Sequence, residues 1–185
     1  MKRIKILLTL IGIALAGVLG RLLTFSTDSI GQIGPDLAAV FAVFVALHAR
    51  SAVDALGAGW VLGFSIDLLS AGAVEGGACV GIMSLSYMAG AGAVFWVREA
   101  FFRDRPLTQA ILGGLFCLIA HGLWTTGQAA RAGDWSAWRR MLPQMLALTA
   151  YTALLTPLGH VVLARMRRLF LVAPAGEAHP RHGRW

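Results

Sequence analysis

The chain of 185 residues has few charges, almost no lysine and only two cysteines. Charged residues make up 14%, against roughly 25% in an ordinary soluble domain. Hydrophobic residues make up 57%, and the mean hydropathy is +0.70. These values argue against a soluble enzyme or a nucleic-acid-binding module. Lysine occurs only at Lys2 and Lys5, and no Gly-rich loop is followed by lysine, which excludes a Walker A phosphate loop.

The sequence also lacks the common motifs of metal sites and hydrolases. Cys79 and Cys117 lie in apolar segments without CxxC spacing, so neither a disulfide framework nor a zinc site is predicted. HExxH, GxSxG and paired carboxylates on one helix face are absent. We therefore predict a protein that is not an enzyme and has no cofactor or metal. His121 and His160 remain as ionisable residues at membrane depth, which serve either chemistry or hydrogen bonds between helices.

Long apolar runs are present instead, and their lengths predict membrane-spanning helices. Residues 1–164 are predicted to form an all-α integral membrane bundle, and residues 165–185 a basic, disordered cytoplasmic tail. The six predicted helices cover residues 6–23, 35–47, 52–66, 77–97, 107–126 and 141–164.

The distribution of basic residues predicts the orientation. With six helices, both termini lie on one side of the membrane, and that side receives 12 of the 16 lysines and arginines. Basic residues in short loops resist translocation, so both termini are predicted to be cytoplasmic. The net charge of +7 is then a feature of topology and of contact with membrane lipid, and it does not indicate a nucleic-acid partner.

Two predicted segments are unusually short. Asp36 and His48 enclose eleven apolar residues, and Asp54 and Asp67 enclose twelve. Each covers less than about 20 Å of a hydrocarbon core about 30 Å thick. Three arrangements remain open: a polar end dips into the membrane, the bilayer thins, or residues 36–67 form a re-entrant hairpin.

Small residues and outer-side charges supply candidate sites. Gly59 and Gly63 allow a helix backbone to approach a neighbour closely, either within the bundle or at a partner interface. Arg21, Asp36 and Asp67 are predicted at the same outer end, which suggests an ion pair of Arg21 with one of the carboxylates. Alternatively, Asp36 is a favourable acid at a helix start after Pro35, and Asp67 reaches headgroup water.

These features also carry a family resemblance. The residues concerned are Pro35-Asp36-Leu37, the apolar run to Leu47, Gly59, Gly63, Asp67-Leu68-Leu69-Ser70, Tyr87 and Gly90. Over residues 35–90 the chain resembles the rod shape-determining protein MreD family. It departs from that pattern at residues 71–77, where Glu75 occurs and an expected proline does not, and the C-terminal half offers no family motif.

The resemblance implies a non-catalytic, multi-pass component of the bacterial inner membrane. It would belong to the cell-elongation machinery, which governs cell shape and peptidoglycan synthesis. It would bind the scaffold MreC and, with it, MreB, RodA and a class B penicillin-binding transpeptidase. The implied fold is similar to the substrate-binding subunits of energy-coupling-factor transporters.

The candidate residues of a partner interface or of helix packing are Pro35, Asp36, Gly59, Gly63 and Asp67, and the last three are expected to be the most sensitive positions. The inner basic residues Arg50, Arg98, Arg103 and Arg105 are expected to face cytoplasmic components. Two alternatives stay open. One is a small-molecule transporter or its substrate-binding subunit, which the short polar-ended segments and the polar last helix favour. The other is an intramembrane enzyme that uses His121 or His160.

Overall fold

The computed structural model describes residues 23–27, 31–71, 81–100 and 105–166. Residues 6–22 of the predicted first helix, Arg21 among them, and residues 167–185 of the predicted tail lie outside this part of the chain. The described part contains five α-helices, a short 3₁₀ turn at Arg98–Ala100 and a two-stranded antiparallel hairpin. The hairpin pairs β1 with β2, and Phe25 lies opposite Ile33. The bounds are β1 Phe25–Thr27, β2 Gly31–Ile33, α1 Leu37–His48, α2 Ala52–Ala71, α3 Ile82–Val97, α4 Pro106–Ala132 and α5 Trp135–Met166.

Three of these helices are long and apolar enough to cross a membrane: α2, α4 and α5. Their outward faces carry large apolar side chains, such as Leu69 in α2 and Leu154 in α5, which are 72% and 73% exposed. Such extensive exposure of apolar surface is unfavourable in water and suits a lipid environment. The helices therefore define a helical membrane protein.

Helix α1 is the short, central element of the bundle. It packs against α2, α3, α4 and α5; more than half of its circumference is buried, including Val40, Val43, Phe44 and Leu47, and its remaining face is half-buried. A helix that is apolar all round belongs in a core. Its 12 residues extend only about 18 Å, so α1 is shorter than the helices that surround it.

Arg98 closes the end of α1 that lies near His48. Its Nη1 donates to the carbonyl oxygens of Ala46 at 2.9 Å and Ala49 at 2.8 Å. The last carbonyl groups of a helix have no partner within the helix, and a cation there also favours the helix dipole. Arg98 is buried, so it is not available to a cytoplasmic partner. Arg50 and Arg105 are exposed, and Arg103 lies outside the described residues.

Helices α4 and α5 continue through residues that the sequence pattern assigned to a loop at 127–140. Gly133 adopts a left-handed backbone conformation with φ +66° and ends α4, a conformation that glycine adopts without strain. The carboxylate of Asp134 then accepts hydrogen bonds from the amide and hydroxyl of Ser136, which lowers the pKa of Asp134. It also pairs with Arg140 at 2.9 Å. A two-residue turn, Gly133 and Asp134, replaces the predicted loop, and Arg131, Arg139 and Arg140 lie within the helices on either side of it.

Candidate functional site

Asp36 is the centre of a hydrogen-bonded cluster that joins four parts of the chain. Its Oδ1 accepts from the backbone amide of Ala39 at 2.9 Å and caps α1. Its Oδ2 accepts from the hydroxyl of Tyr87 in α3 and lies 3.0 Å from Nε2 of His121 in α4. Its backbone amide donates to Oγ1 of Thr152 in α5 at 2.9 Å. This residue therefore links the start of α1 to three other helices.

The cluster lies well inside the bundle. His121 is eleven residues before Ala132, where α4 ends, which corresponds to about 16 Å along the helix. Because Asp36 contacts His121, α1 begins at this depth. The sequence left several arrangements open for the short segment between Asp36 and His48. In the structure, its polar Asp36 end lies inside the bundle. Pro35, which precedes it, is also buried.

A cavity of about 290 Å³ lies next to this cluster, in the half of the bundle nearest the α4–α5 turn. Its polar lining comes from His121, Thr125 and Gln144. Methionine, tryptophan and leucine side chains, including those of Trp124 and Leu148, form most of the remaining wall. Since α1 begins at Asp36, no part of that helix fills the centre of this half of the bundle.

Asp67 forms a second junction, between α2 and α3. Its Oδ2 accepts from the backbone amides of Gly81 at 2.8 Å and Ser84 at 3.1 Å and from the Ser84 hydroxyl at 2.9 Å. A carboxylate at a helix N-terminus satisfies amides that have no partner within the helix and favours the helix dipole. Asp67 is buried, and α2 runs past the predicted end at residue 66 because the start of α3 satisfies this carboxylate.

Gly59 and Gly63 lie at the same α2–α3 contact. A Cβ atom on Gly59 would lie 2.7 Å from the carbonyl oxygen of Tyr87. A Cβ atom on Gly63 would lie 2.5 Å from the carbonyl oxygen of Met83 and 2.6 Å from Cα of Ser84. The structure therefore uses both glycines for packing within the chain, which is one of the two roles that the sequence allowed.

The predicted ion pair of Arg21 with Asp36 or Asp67 stays a prediction, because Arg21 lies outside the described residues. Within the described part of the chain, the two carboxylates have separate partners at separate junctions. His160, the other histidine predicted at membrane depth, is not part of the cluster around Asp36. Its ring stacks on that of His48 at a centroid distance of 5.2 Å. No group of three or more His, Cys, Asp or Glu residues in the described ranges could hold a metal ion.

Sequence reasoning missed the meeting of Asp36, Tyr87 and His121. Each residue was singled out, Asp36 and Tyr87 in the family resemblance and His121 as an intramembrane histidine, yet no pattern connected them. Thr152 lies in the polar last helix, and no sequence pattern links it to Asp36. The signal that was available is the number of hydrogen-bonding residues in apolar segments, since buried polar groups need partners.

The fold and these buried polar junctions define a helical membrane protein whose helices are joined by carboxylates. Comparison adds no narrower assignment, since neither a family model, a curated protein nor a solved structure matches this chain.

Replacing Asp67 with Asn tests the second junction. All three donors meet on Oδ2, so the amide oxygen of Asn can take its place, but without the negative charge. We expect the free energy of unfolding in mixed micelles to fall by about 1 to 2 kcal/mol. Asp54→Asn on the exposed first turn of α2 is the matched control and should change stability by less than about 0.5 kcal/mol. Equal effects of the two variants would contradict a specific role for Asp67.

Proposed function

We propose that the protein is a non-catalytic component of the bacterial cell-elongation machinery in the inner membrane, where it binds an MreC-like scaffold. MreB, RodA and a class B penicillin-binding transpeptidase join it through that scaffold. In this proposal the chain crosses the membrane six times and both termini are cytoplasmic. The proposal starts from the resemblance of residues 35–90 to the MreD family.

One observation supports the resemblance most strongly: the residues that carry it act together at the contacts of α3. Asp36 bonds Tyr87, Asp67 bonds the start of α3, and Gly59 and Gly63 pack against the α3 backbone. Residues that are far apart in the sequence thus support the same helix. This convergence is the arrangement that a shared fold would require.

The same contacts determine where we look for the scaffold interface. Gly59 and Gly63 are covered by α3, so a partner helix must use outward-facing surface instead. Trp60 and Val61 in α2 are 46% and 49% exposed, and Trp60 stacks on Phe64 at 5.3 Å. Aromatic and aliphatic side chains at such positions supply the van der Waals contact on which helix association in lipid depends. We assign the scaffold contact to this outward face of α2.

Affinity purification of the tagged chain from native membranes in mild detergent, followed by mass spectrometry, tests the proposal. We expect an MreC-like scaffold in near-stoichiometric amounts. A photo-crosslinking residue at Val61 should join the chain to that scaffold. The same residue at Leu154, on the outward face of α5, is the control and should not. If the purified sample contained neither an MreC-like scaffold nor any wall-synthesis protein, the proposed function would be contradicted. Crosslinks to the scaffold from Leu154 but not from Val61 would contradict the assigned face.

The cavity beside His121 supports a second candidate, a small-molecule transporter or its substrate-binding subunit. Such a protein holds its substrate in a pocket between helices, with a few converging polar groups. The same purification separates the two candidates, because an ATPase pair with a coupling subunit would be recovered in place of the scaffold.

A further inference from the structure

The cavity near the α4–α5 turn is lined by a histidine, His121, whose Nε2 contacts a buried carboxylate. The Tyr87 hydroxyl and Nε2 of His121 both contact Oδ2 of Asp36, and Oδ1 accepts from the Ala39 amide. When Asp36 is ionised, both of its oxygens act as acceptors, and Nε2 of His121 is then the nitrogen that donates to Oδ2. Carboxylates hold histidine rings in one tautomer in this way at other functional sites.

The other ring nitrogen of His121, Nδ1, is the acceptor of the neutral ring when Nε2 donates. In a neutral imidazole one nitrogen donates and the other accepts. Within residues 23–27, 31–71, 81–100 and 105–166, no hydrogen bond involves Nδ1 of His121. The side chain lines the cavity and is 13% exposed. The hydroxyl of Thr125, one turn further along α4, has protein acceptors in the carbonyl oxygens of His121 and Gly122 and in Sδ of Met145 at 3.9 Å.

The remaining walls determine the rest of the ligand. Met83, Trp124, Met145 and Leu148 supply apolar surface around the histidine, and Gln144 adds a second polar side chain to the lining. A charged ligand would lose its hydration against these side chains without a countercharge, because the Asp36 carboxylate is already fully engaged. The volume of about 290 Å³ lies near the lower end of small-molecule sites. The chemistry thus favours a small, neutral and mainly apolar ligand.

We propose that this cavity binds a small neutral molecule with an apolar body and one hydroxyl or N–H group, which donates a hydrogen bond to Nδ1 of His121. The ligand enters either from the membrane, as a hydroxyl-bearing amphiphile, or from water. Asp36 is a positioning residue, because it fixes the ring and its tautomer without touching the ligand. The site goes beyond the proposed role in cell elongation, and its test does not depend on that role.

Two probes of equal shape test the hydrogen bond: 4-propylphenol, which has a donor, and 4-propyltoluene, which has none. Binding to the full-length chain in detergent is measured by titration calorimetry against a detergent blank. We expect 4-propylphenol to bind the natural chain and His121→Phe to weaken it roughly three- to tenfold, the value of one neutral hydrogen bond. Binding of 4-propyltoluene should be weaker and should not respond to His121→Phe. Equal affinity of the two probes for the natural chain would overturn the proposal.

A second pair of variants tests the cavity itself and serves even where His121→Phe fails to fold. Leu148→Trp fills the cavity, and Leu146→Trp adds the same ring to the same helix at a position that is 49% exposed. We expect Leu148→Trp to abolish binding of 4-propylphenol and Leu146→Trp to leave it unchanged. Binding that survives Leu148→Trp would place the probe elsewhere and overturn the proposal.

Native mass spectrometry of the purified chain separates the two sources. A hydroxyl-bearing membrane molecule that is retained by the natural chain and lost in Leu148→Trp supports a ligand from the membrane. Probe binding by a chain that carries no such molecule supports a ligand from water. The scaffold copurification is read out separately, so a failure of ligand binding is distinguishable from a failure of the proposed function.

Discussion

Gly63→Leu is expected to prevent the close contact of α2 with α3 and to lower the free energy of unfolding by about 3 kcal/mol or more. The first side-chain atom alone would lie 2.5 Å from the carbonyl oxygen of Met83 and 2.6 Å from Cα of Ser84. Both are backbone atoms, so no rotation of a flexible side chain relieves the overlap. The helices must separate, and the Asp67 bonds to the start of α3 are at the same contact. Unfolding in mixed micelles measures the loss.

Gly57→Leu is the matched control for this prediction. Gly57 lies in the same helix, and a Cβ atom there meets nothing within 4 Å. Glycine is less favourable in a helix interior than the best helix formers by roughly 0.8 to 1 kcal/mol, and leucine is one of these good helix formers. We therefore expect Gly57→Leu to be neutral or slightly stabilising. A Gly63→Leu chain as stable as the Gly57→Leu chain would contradict the α2–α3 contact.

The two glycines show what the sequence could predict about packing and what it could not. The spacing of Gly59 and Gly63 on one helix face predicts a close helix contact, and the structure contains one. The pattern does not say which helix makes that contact, because van der Waals packing in lipid follows the same rules within a chain and between chains. The contact is with α3, so substitutions at Gly63 test folding before they test a partner.

The helical membrane character could be predicted from composition and apolar runs alone, whereas several helix ends could not. The charges near Asp134 and Arg140 resemble a loop in sequence, yet a cap and an ion pair keep them in a helical hairpin. Likewise, Asp67 reads as the polar end of a segment, although α2 continues beyond it. The donors to Asp67 are 14 and 17 residues away, whereas Asp134 is satisfied by partners two and six residues away that a helical turn brings together.

The site was less predictable than the fold. Pro35-Asp36 indicates a helix start, and Asp36 does cap α1. The depth of that start depends on contacts across 51 residues to Tyr87 and 85 residues to His121. A periodic pattern reports only neighbours within a few turns. The cavity follows from the same long-range contacts, because it occupies space that a longer α1 would fill.

Asp36→Ala is expected to have the largest effect on stability of any substitution at these junctions, about 3 to 5 kcal/mol. Three donors lose their acceptor together: the Tyr87 hydroxyl, Nε2 of His121 and the Ala39 amide. Each unsatisfied donor in a buried site costs about 1 to 3 kcal/mol, and part of that cost is recovered where water reaches the group. Asp36 is 13% exposed through its side chain, so this recovery is incomplete.

The control for Asp36→Ala is Asp134→Ala, which removes an acid that also accepts from the start of a helix but lies at an exposed turn. Water replaces the lost acceptor there, so Asp134→Ala should lower the free energy of unfolding clearly less than Asp36→Ala.

A double-mutant cycle with Tyr87→Phe then measures the Asp36–Tyr87 bond. In the Asp36→Ala chain the buried Tyr87 hydroxyl has lost its acceptor, so removing it is less costly there. Tyr87→Phe should therefore lower the free energy of unfolding less in the Asp36→Ala chain than in the natural one, by about 1 kcal/mol or more. Additive effects of the two substitutions would mean that the carboxylate and the hydroxyl do not interact. The cluster would then consist only of the contact of Asp36 with His121 and the cap at the start of α1.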